Sequence, residues 1–217
     1  MTAGHPHQNQ AIVTTGKPLA DARAAMILLH GRGATAESIL TLADELNQPD
    51  FAYLAPQAAG YTWYPYSFLS PMPQNEPGIT SGIAVVEALV EQIVSDGIPY
   101  QQIMIGGFSQ GACLALEFVA RHARRYGGVL GYSGGLIGPD STPRDYPGSL
   151  GDTPIFLGCS DIDAHIPKAR VELTADVLRK LGGQVSMRLY PGMGHTINQD
   201  EIEASRIMMT SLLKATR

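Results

Sequence analysis

Short, wholly apolar runs alternate along this chain with longer stretches in which apolar residues recur every three or four positions. Residues 24–29, AAMILL, are apolar throughout, as in a strand buried on both faces. They stop at His30-Gly31, and residues 35–46 then carry Ile39, Leu42, Ala43 and Leu46 at helical spacing. Phe51 to Ala55 reads as a second strand ended by Pro56, and Ile79 to Asp96 as a helix closed by Gly97 and Pro99. Ile103-Met104-Ile105 predicts a central strand and Ser109 to Arg125 a helix. Later strands are expected at Gly128 to Gly131, Thr153 to Gly158 and Val185 to Tyr190, with helices at Pro167 to Leu181 and Ile197 to Ala215. The alternation predicts about six or seven strands and about five main helices, arranged as a mostly parallel sheet with helices packed on it. Two segments lack any period: residues 56–78, rich in Pro, Tyr and Gly, and residues 138–152. A loop as long as the first is usually functional or mobile.

Composition changes little in this picture but excludes several functions. The 217 residues are 44% hydrophobic and 16% charged, the balance of one ordinary globular domain. Two cysteines, Cys113 and Cys159, form neither a disulfide framework nor a CxxC motif, and two free thiols are expected. The net charge of −5 comes without a basic run, which argues against a nucleic-acid partner. The amino terminus lacks the cationic start and apolar stretch of a secretory signal, and no apolar run approaches the length of a membrane span. A cytoplasmic location is therefore expected.

Chemistry enters at IMIGGFSQGACLALEF. A β-rich run ends in Gly107-Phe108-Ser109-Gln110-Gly111 and a helix begins at once. This is G-x-S-x-G in its required context, a tight strand-to-helix turn that points the serine hydroxyl out of the sheet. The helix N-terminus favours developing negative charge beside it. Cys113, one turn further on, fits a small core residue better than a second nucleophile.

A serine hydroxyl needs a base to take its proton and a third group to hold that base. His5 and His7 lie in an apparent loose tail, and His122 lies on a helix face beside Arg121 and Arg124. His195, in the glycine-rich YPGMGHTI between the last strand and the last helix, is the expected base. The acid should follow TPIFLG, where GCSDIDAHIP offers Asp161 and Asp163. Spacing alone leaves both open. His165 in the same loop precedes the last strand and reads as a surface residue.

From about Ala24 to the carboxyl end the chain resembles the phospholipase/carboxylesterase family, the lid-less α/β-hydrolases that include acyl-protein thioesterases. The segments that carry the resemblance are LLHGRGA, PQAAGYTWYPYSF, GGFSQGA, DIDAHIP and PGMGHTI. It implies a single α/β-hydrolase domain over residues 24–217, with helices on both faces of the sheet, no cap domain and a partly flexible segment over residues 1–23. The family's acid commonly stands four residues before a proline in a D-P-x-V-P pattern. That position is Asp163 here, and Ala164, which replaces the usual proline, leaves Asp161 as the alternative.

The resemblance also implies an oxyanion hole made by the main-chain N–H groups of Arg32 and Gln110. The Arg32 guanidinium is expected to extend into water rather than toward an acidic substrate group. Trp63 and Tyr64 would shape an open acyl pocket. The implied activity is serine carboxylesterase action on small-to-medium acyl esters through Ser109, His195 and Asp163, with no metal or organic cofactor. Cleavage of acylated proteins or lysophospholipids is the alternative, and a non-hydrolytic small-molecule receptor a more distant one. Dimerisation is common among relatives, but no interface is legible in this sequence.

Overall fold

AAMILL, apolar at every position, forms β2 (Ala24–Leu29), and all six of its residues are buried. The computed structural model describes residues 4–215. Among these, seven strands build one sheet: β1 (Ile12–Gly16), β2, β3 (Phe51–Pro56), β4 (Ile103–Phe108), β5 (Gly128–Tyr132), β6 (Pro154–Ser160) and β7 (Gln184–Tyr190). Their order across the sheet is β1-β3-β2-β4-β5-β6-β7. All pairings are parallel except that of β1 with β3.

Helices cross from strand to strand on both faces. On one face α1 (Ala36–Leu46) and α5 (Gln199–Ala215) pack over Met26, Leu28, Tyr53, Tyr132 and Phe156. On the other, α2 (Gly78–Ser95), α3 (Gln110–Arg121) and α4 (Lys168–Lys180) pack over Ile27, Leu29, Ile105, Val129 and Leu157. The chain has the α/β-hydrolase fold in a single domain. With alternate residues of each strand pointing to opposite faces, an uninterrupted apolar run is what a doubly covered strand requires.

Local chemistry sets the ends of α1. Thr35 Oγ1 accepts from the Ser38 N–H at 3.1 Å, and Ser38 Oγ accepts from the Thr35 N–H at 3.1 Å, a reciprocal capping box. Asn47, at φ 48°, turns the chain out of the helix. Helix α3 ends at Arg121, short of the expected Arg125, and His122 stacks on Phe118 at 4.7 Å. Helix α2 is 18 residues long with mean hydropathy 1.3, enough by length and composition for a membrane span. Its apolar face, including Ile79, Val86, Val90 and Ile93, belongs to the protein core, and Glu87 and Glu91 face outward.

The amino-terminal segment departs from expectation. β1 extends the sheet as an edge strand ahead of Ala24, so residue 24 marks no structural boundary. Its burial pattern is mostly exposed, with Val13 alone packed onto the core beside α1, and so short a buried face leaves little periodic signal. His7, read from sequence as part of a loose tail, is only 3% exposed. Its Nε2 donates to the Trp63 carbonyl at 2.8 Å and its Nδ1 accepts from the Ala59 N–H at 3.1 Å. One donor and one acceptor define a neutral imidazole. His30 is built the same way: Nδ1 donates to the Gly31 carbonyl at 2.8 Å and Nε2 accepts from the Ala58 N–H at 3.1 Å.

Burial holds both imidazoles below the ordinary histidine value of 6.5. The unfolded chain therefore binds protons on these groups that the folded chain refuses, and their stabilisation is lost as pH falls from about 6.5. Glu201 on α5 acts in the opposite sense. Burial pushes its carboxyl up to about 7, so its contribution is fully present in acid and is lost as pH rises through that value. Comparison with a His7 variant separates the two. His7→Gln is expected to lower the melting temperature at pH 7.5 and to show a shallower fall between pH 7 and 5, by on the order of 2–4 °C. Thermal melts at stepped pH measure both; an unchanged slope would remove His7 from the account.

Candidate active site

The turn from β4 into α3 is built around close backbone approaches. A Cβ at Gly107 would lie 2.6 Å from the Leu29 carbonyl oxygen, and one at Gly111 would overlap the Leu29 and His30 carbonyls. Only glycine fits at either place, which lets the first turn of α3 rest against the end of β2. Between them Ser109 adopts φ 56°, ψ −119°, outside the regions ordinary residues favour. Such a conformation costs about 1–3 kcal/mol and persists only where neighbours enforce it. Here the Ser109 N–H donates to the Tyr132 carbonyl at 2.9 Å and its carbonyl accepts from the Cys113 N–H at 3.0 Å.

The strained turn presents the hydroxyl to a histidine from the other end of the chain. Ser109 Oγ lies 2.8 Å from His195 Nε2. His195 Nδ1 lies 2.7 Å from Asp163 Oδ2, and the Asp163 side chain is wholly buried. Burial alone would raise this carboxyl. Hydrogen bonds from His195 and from the N–H groups of His165 and Ile166 outweigh burial and hold it below the usual carboxylate range. A permanently charged acceptor thus fixes the imidazole so that Nε2 faces the serine.

Asp161 does not touch His195. Its Oδ1 accepts from the Gly192 N–H at 2.9 Å, supporting the loop that carries the histidine. His165 is exposed, as expected, but it lines the cleft and its ring meets that of His195 edge-on with centroids 4.8 Å apart. Behind the carboxylate, Cys159 Sγ lies 3.7 Å from Asp163 Oδ2. Burial, reinforced by the Asp163 charge, pushes the Cys159 thiol up to about 12. Cys113 is likewise pushed up to about 12 by burial. Both cysteines are free, neutral and buried.

Two turns come together beside the serine. Gln110 begins α3, so its N–H has no intrahelical acceptor. In the turn after β2 the Gly33 N–H is taken by the Tyr61 carbonyl and that of Ala34 by Gly31, while that of Arg32 has no protein acceptor among the described residues.

The Arg32 side chain corrects one expectation. Rather than reaching into water, its Nη1 donates to the Pro65 carbonyl at 2.8 Å and its Nη2 to the Tyr66 carbonyl at 2.6 Å. Gln110 ties down the same loop: Oε1 accepts from the Trp63 N–H at 3.0 Å and Nε2 donates to the Tyr64 carbonyl at 2.8 Å. Trp63 corrects another. It is fully buried, donates from Nε1 to the His30 carbonyl at 3.0 Å, and packs between His7 and His30 behind the site. Tyr64 does line the cleft, together with Tyr66, Phe68, Cys113 and Ile166, around a volume of about 520 Å³ that includes Ser109 and His195. That size suits a small or medium organic ligand.

A model of the phospholipase/carboxylesterase family matches residues 7–212. The chain belongs to this family. A crystal structure of the phospholipase/carboxylesterase from Dyadobacter fermentans is 42% identical, with TM-score 0.90, covering 96% of this chain and 98% of that one. Acyl-protein thioesterase 1 of Debaryomyces hansenii is 29% identical over 94% of this chain and 96% of its own length. The match to acyl-protein thioesterase 1 of Neurospora crassa, at 30% identity, spans 64% of this chain and 58% of that protein. Acyl-protein thioesterase 2 of Zea mays shares the fold, with TM-score 0.74 at 20% identity over 94% of this chain and 99% of that one. This family member is a hydrolase of carboxylic ester bonds.

The sequence did not reveal the parts played by His7, by the His30 ring or by the Gln110 amide. Each acts by bonding a loop distant in sequence, and only the position of Gln110 inside the motif singled it out. Arg32→Ala removes the two bonds to residues 65 and 66 but keeps the main-chain N–H. It is expected to speed hydrogen exchange at Tyr66 to Leu69 and to lower kcat/KM for an ester by about ten-fold or less, the scale of a lost charged hydrogen bond at an exposed site. A loss as deep as that of a serine variant would instead tie the guanidinium to the chemistry.

Proposed function

We propose that this chain is a serine carboxylesterase acting on small-to-medium acyl esters through an acyl-enzyme. The observation that carries the reading is the continuous hydrogen-bonded line from Ser109 Oγ through His195 to the buried Asp163 carboxylate, at 2.8 and 2.7 Å. Ser109 Oγ attacks the ester carbonyl while His195 Nε2 takes its proton and Asp163 stabilises the imidazolium. The N–H groups of Arg32 and Gln110 receive the tetrahedral oxygen. Such a donor is typically worth about 2.7–4 kcal/mol in the transition state. The imidazolium then protonates the departing alcohol, and water activated by His195 releases the acid. Tyr64, Tyr66 and Phe68 give the cleft an aromatic wall for the acyl chain.

Cleavage of acyl thioesters on proteins is a second reading, favoured by the end-to-end similarity to a protein named acyl-protein thioesterase 1. Assay of p-nitrophenyl esters from acetate to palmitate separates the two. A maximum at short or medium acids supports the carboxylesterase reading, and a maximum at palmitate supports the other.

Ser109→Ala is expected to abolish hydrolysis of p-nitrophenyl butyrate and labelling by a fluorophosphonate with the fold intact. Retained turnover would sink the assignment, and an unlabelled native chain would favour a binding protein. Asp163→Asn is expected to reduce kcat by about 10³–10⁴-fold, because an amide permits the wrong imidazole tautomer. Asp161→Asn, which touches only the loop, should cost about ten-fold or less; the reverse ranking would reassign the acid.

A further inference from the structure

A second cleft opens on the opposite side of His195, between the ring and α1. It encloses about 310 Å³ and is lined by Ala34, Ile39, Thr41, Leu42, Phe108 and Ile197 among others. It shares Gly31, Ala34, Phe108 and His195 with the larger cleft but reaches neither Ser109 nor Gln110. The nucleophile and the N–H of Gln110 therefore face the first space only, while the imidazole borders both. We propose that this second cleft is the leaving-group subsite of the esterase, and that it takes an uncharged alcohol. The proposal rests on the acyl-enzyme reading above.

Reaction balance supports the assignment. As the bond from Ser109 Oγ to the carbonyl carbon forms, the bond from that carbon to the alcohol oxygen breaks. The proton taken from Ser109 is returned by His195 Nε2 to that oxygen, and a neutral alcohol leaves. The departing oxygen must come within about 2.6–3.2 Å of Nε2, so its substituent must project along the imidazole. Of the two spaces, the one walled by Tyr64, Phe68 and Cys113 lies beside the serine and the N–H of Gln110, where the acyl carbon sits. The space continuing past the imidazole toward Thr196 and Ile197 is left for the alcohol.

Its lining describes the occupant. Among the described residues no Lys, Arg, Asp or Glu lines it, and of its two imidazoles His30 is bonded as a neutral ring. The guanidinium of Arg32, on the turn beside it, is committed to the carbonyls of residues 65 and 66. The hydroxyl protons are used locally: Ser38 Oγ donates to the Thr35 carbonyl at 2.7 Å and Thr41 Oγ1 to the Ser38 carbonyl at 2.8 Å. What remains is the apolar surface of Ile39, Leu42, Phe108 and Ile197. An alkyl or aryl alcohol gains from burial there, whereas a charged head group would lose hydration without a partner.

Two ratios of kcat/KM on the full chain test this. The first is octyl over methyl butyrate, which varies the alcohol; the second is methyl octanoate over methyl acetate, which varies the acid. Leu42→Gln is expected to lower the first about ten-fold and to leave the second within about two-fold, the scale of lost apolar contacts in a specificity pocket. A change confined to the second ratio, or in neither, would overturn the proposal. Thr41 is exposed on the rim, so Thr41→Glu leaves the core untouched. It should raise hydrolysis of butyrylcholine relative to its uncharged isostere 3,3-dimethylbutyl butyrate by about three- to ten-fold, as a nearby opposite charge would. In the unaltered chain the isostere should be preferred, and preference for butyrylcholine would refute an uncharged occupant. Absence of ester turnover in the unaltered chain would instead overturn the esterase reading itself, and this proposal with it.

Discussion

The architecture of the site depends on one close contact: the first turn of α3 lying directly on the carbonyl ends of β2. Gly107 and Gly111 make that approach possible, since a side chain at either would strike Leu29. Everything near the serine follows from it. The contact forces Ser109 into its positive φ and aims its hydroxyl outward. It also brings the turn after β2, with Arg32, beside the start of α3, with Gln110. Two segments almost eighty residues apart thereby border the same cleft. Strain at one residue is offset by the parallel pairing of β2 with β4 and of β4 with β5 around it.

The second half of the chain supplies an electrostatic line rather than a packing contact. Asp163 is buried and nevertheless charged, because three N–H donors outweigh the cost of burial. Cys159 adds no charge of its own, its thiol being held neutral by burial and by the carboxylate it faces. The negative charge behind the imidazole is therefore single and fixed. His195 itself sits on a glycine-rich loop, with Asp161 bonded to the Gly192 N–H and Glu201 accepting from the Asn198 N–H at 2.8 Å at the start of α5. The loop is short, tied at both sides, and still open to the cleft.

Most of this arrangement was legible in the sequence because it rests on local rules. Buried parallel strands read as apolar runs, helices as repeats of three and four, and the β4–α3 turn as a motif whose glycines have a steric cause. The three side chains singled out, Ser109, His195 and Asp163, are the three that meet. What stayed hidden depends on contacts between distant segments. β1 is an exposed edge strand with little period, and His7 gives no local sign that it is buried against Trp63. Trp63 is aromatic and adjacent to the site in sequence, yet its indole N–H needs a buried acceptor and finds it at His30, behind the sheet end. Arg32 looked free because its partners are main-chain carbonyls, which any sequence provides.

These distant contacts have a common target. His7, His30, Gln110 and Arg32 all bond the backbone between residues 58 and 66. The loop that walls the larger cleft is thus fastened to the same two turns that carry the serine and the adjacent N–H groups. A shift of that wall cannot occur without pulling on Gln110 or on the turn at Arg32. The wall of the larger cleft and the turn at Ser109 are joined by these bonds on this side of the molecule. The smaller cleft beyond His195 shares the His30 fastening on one side, but its other wall is α1. Its residues on α1 are held by their own helix, with hydroxyls spent on neighbouring carbonyls. Variation on α1 is therefore separated from the turn at Ser109, whereas variation along residues 58–66 pulls on it, so the two walls beside the imidazole differ in how freely they can change.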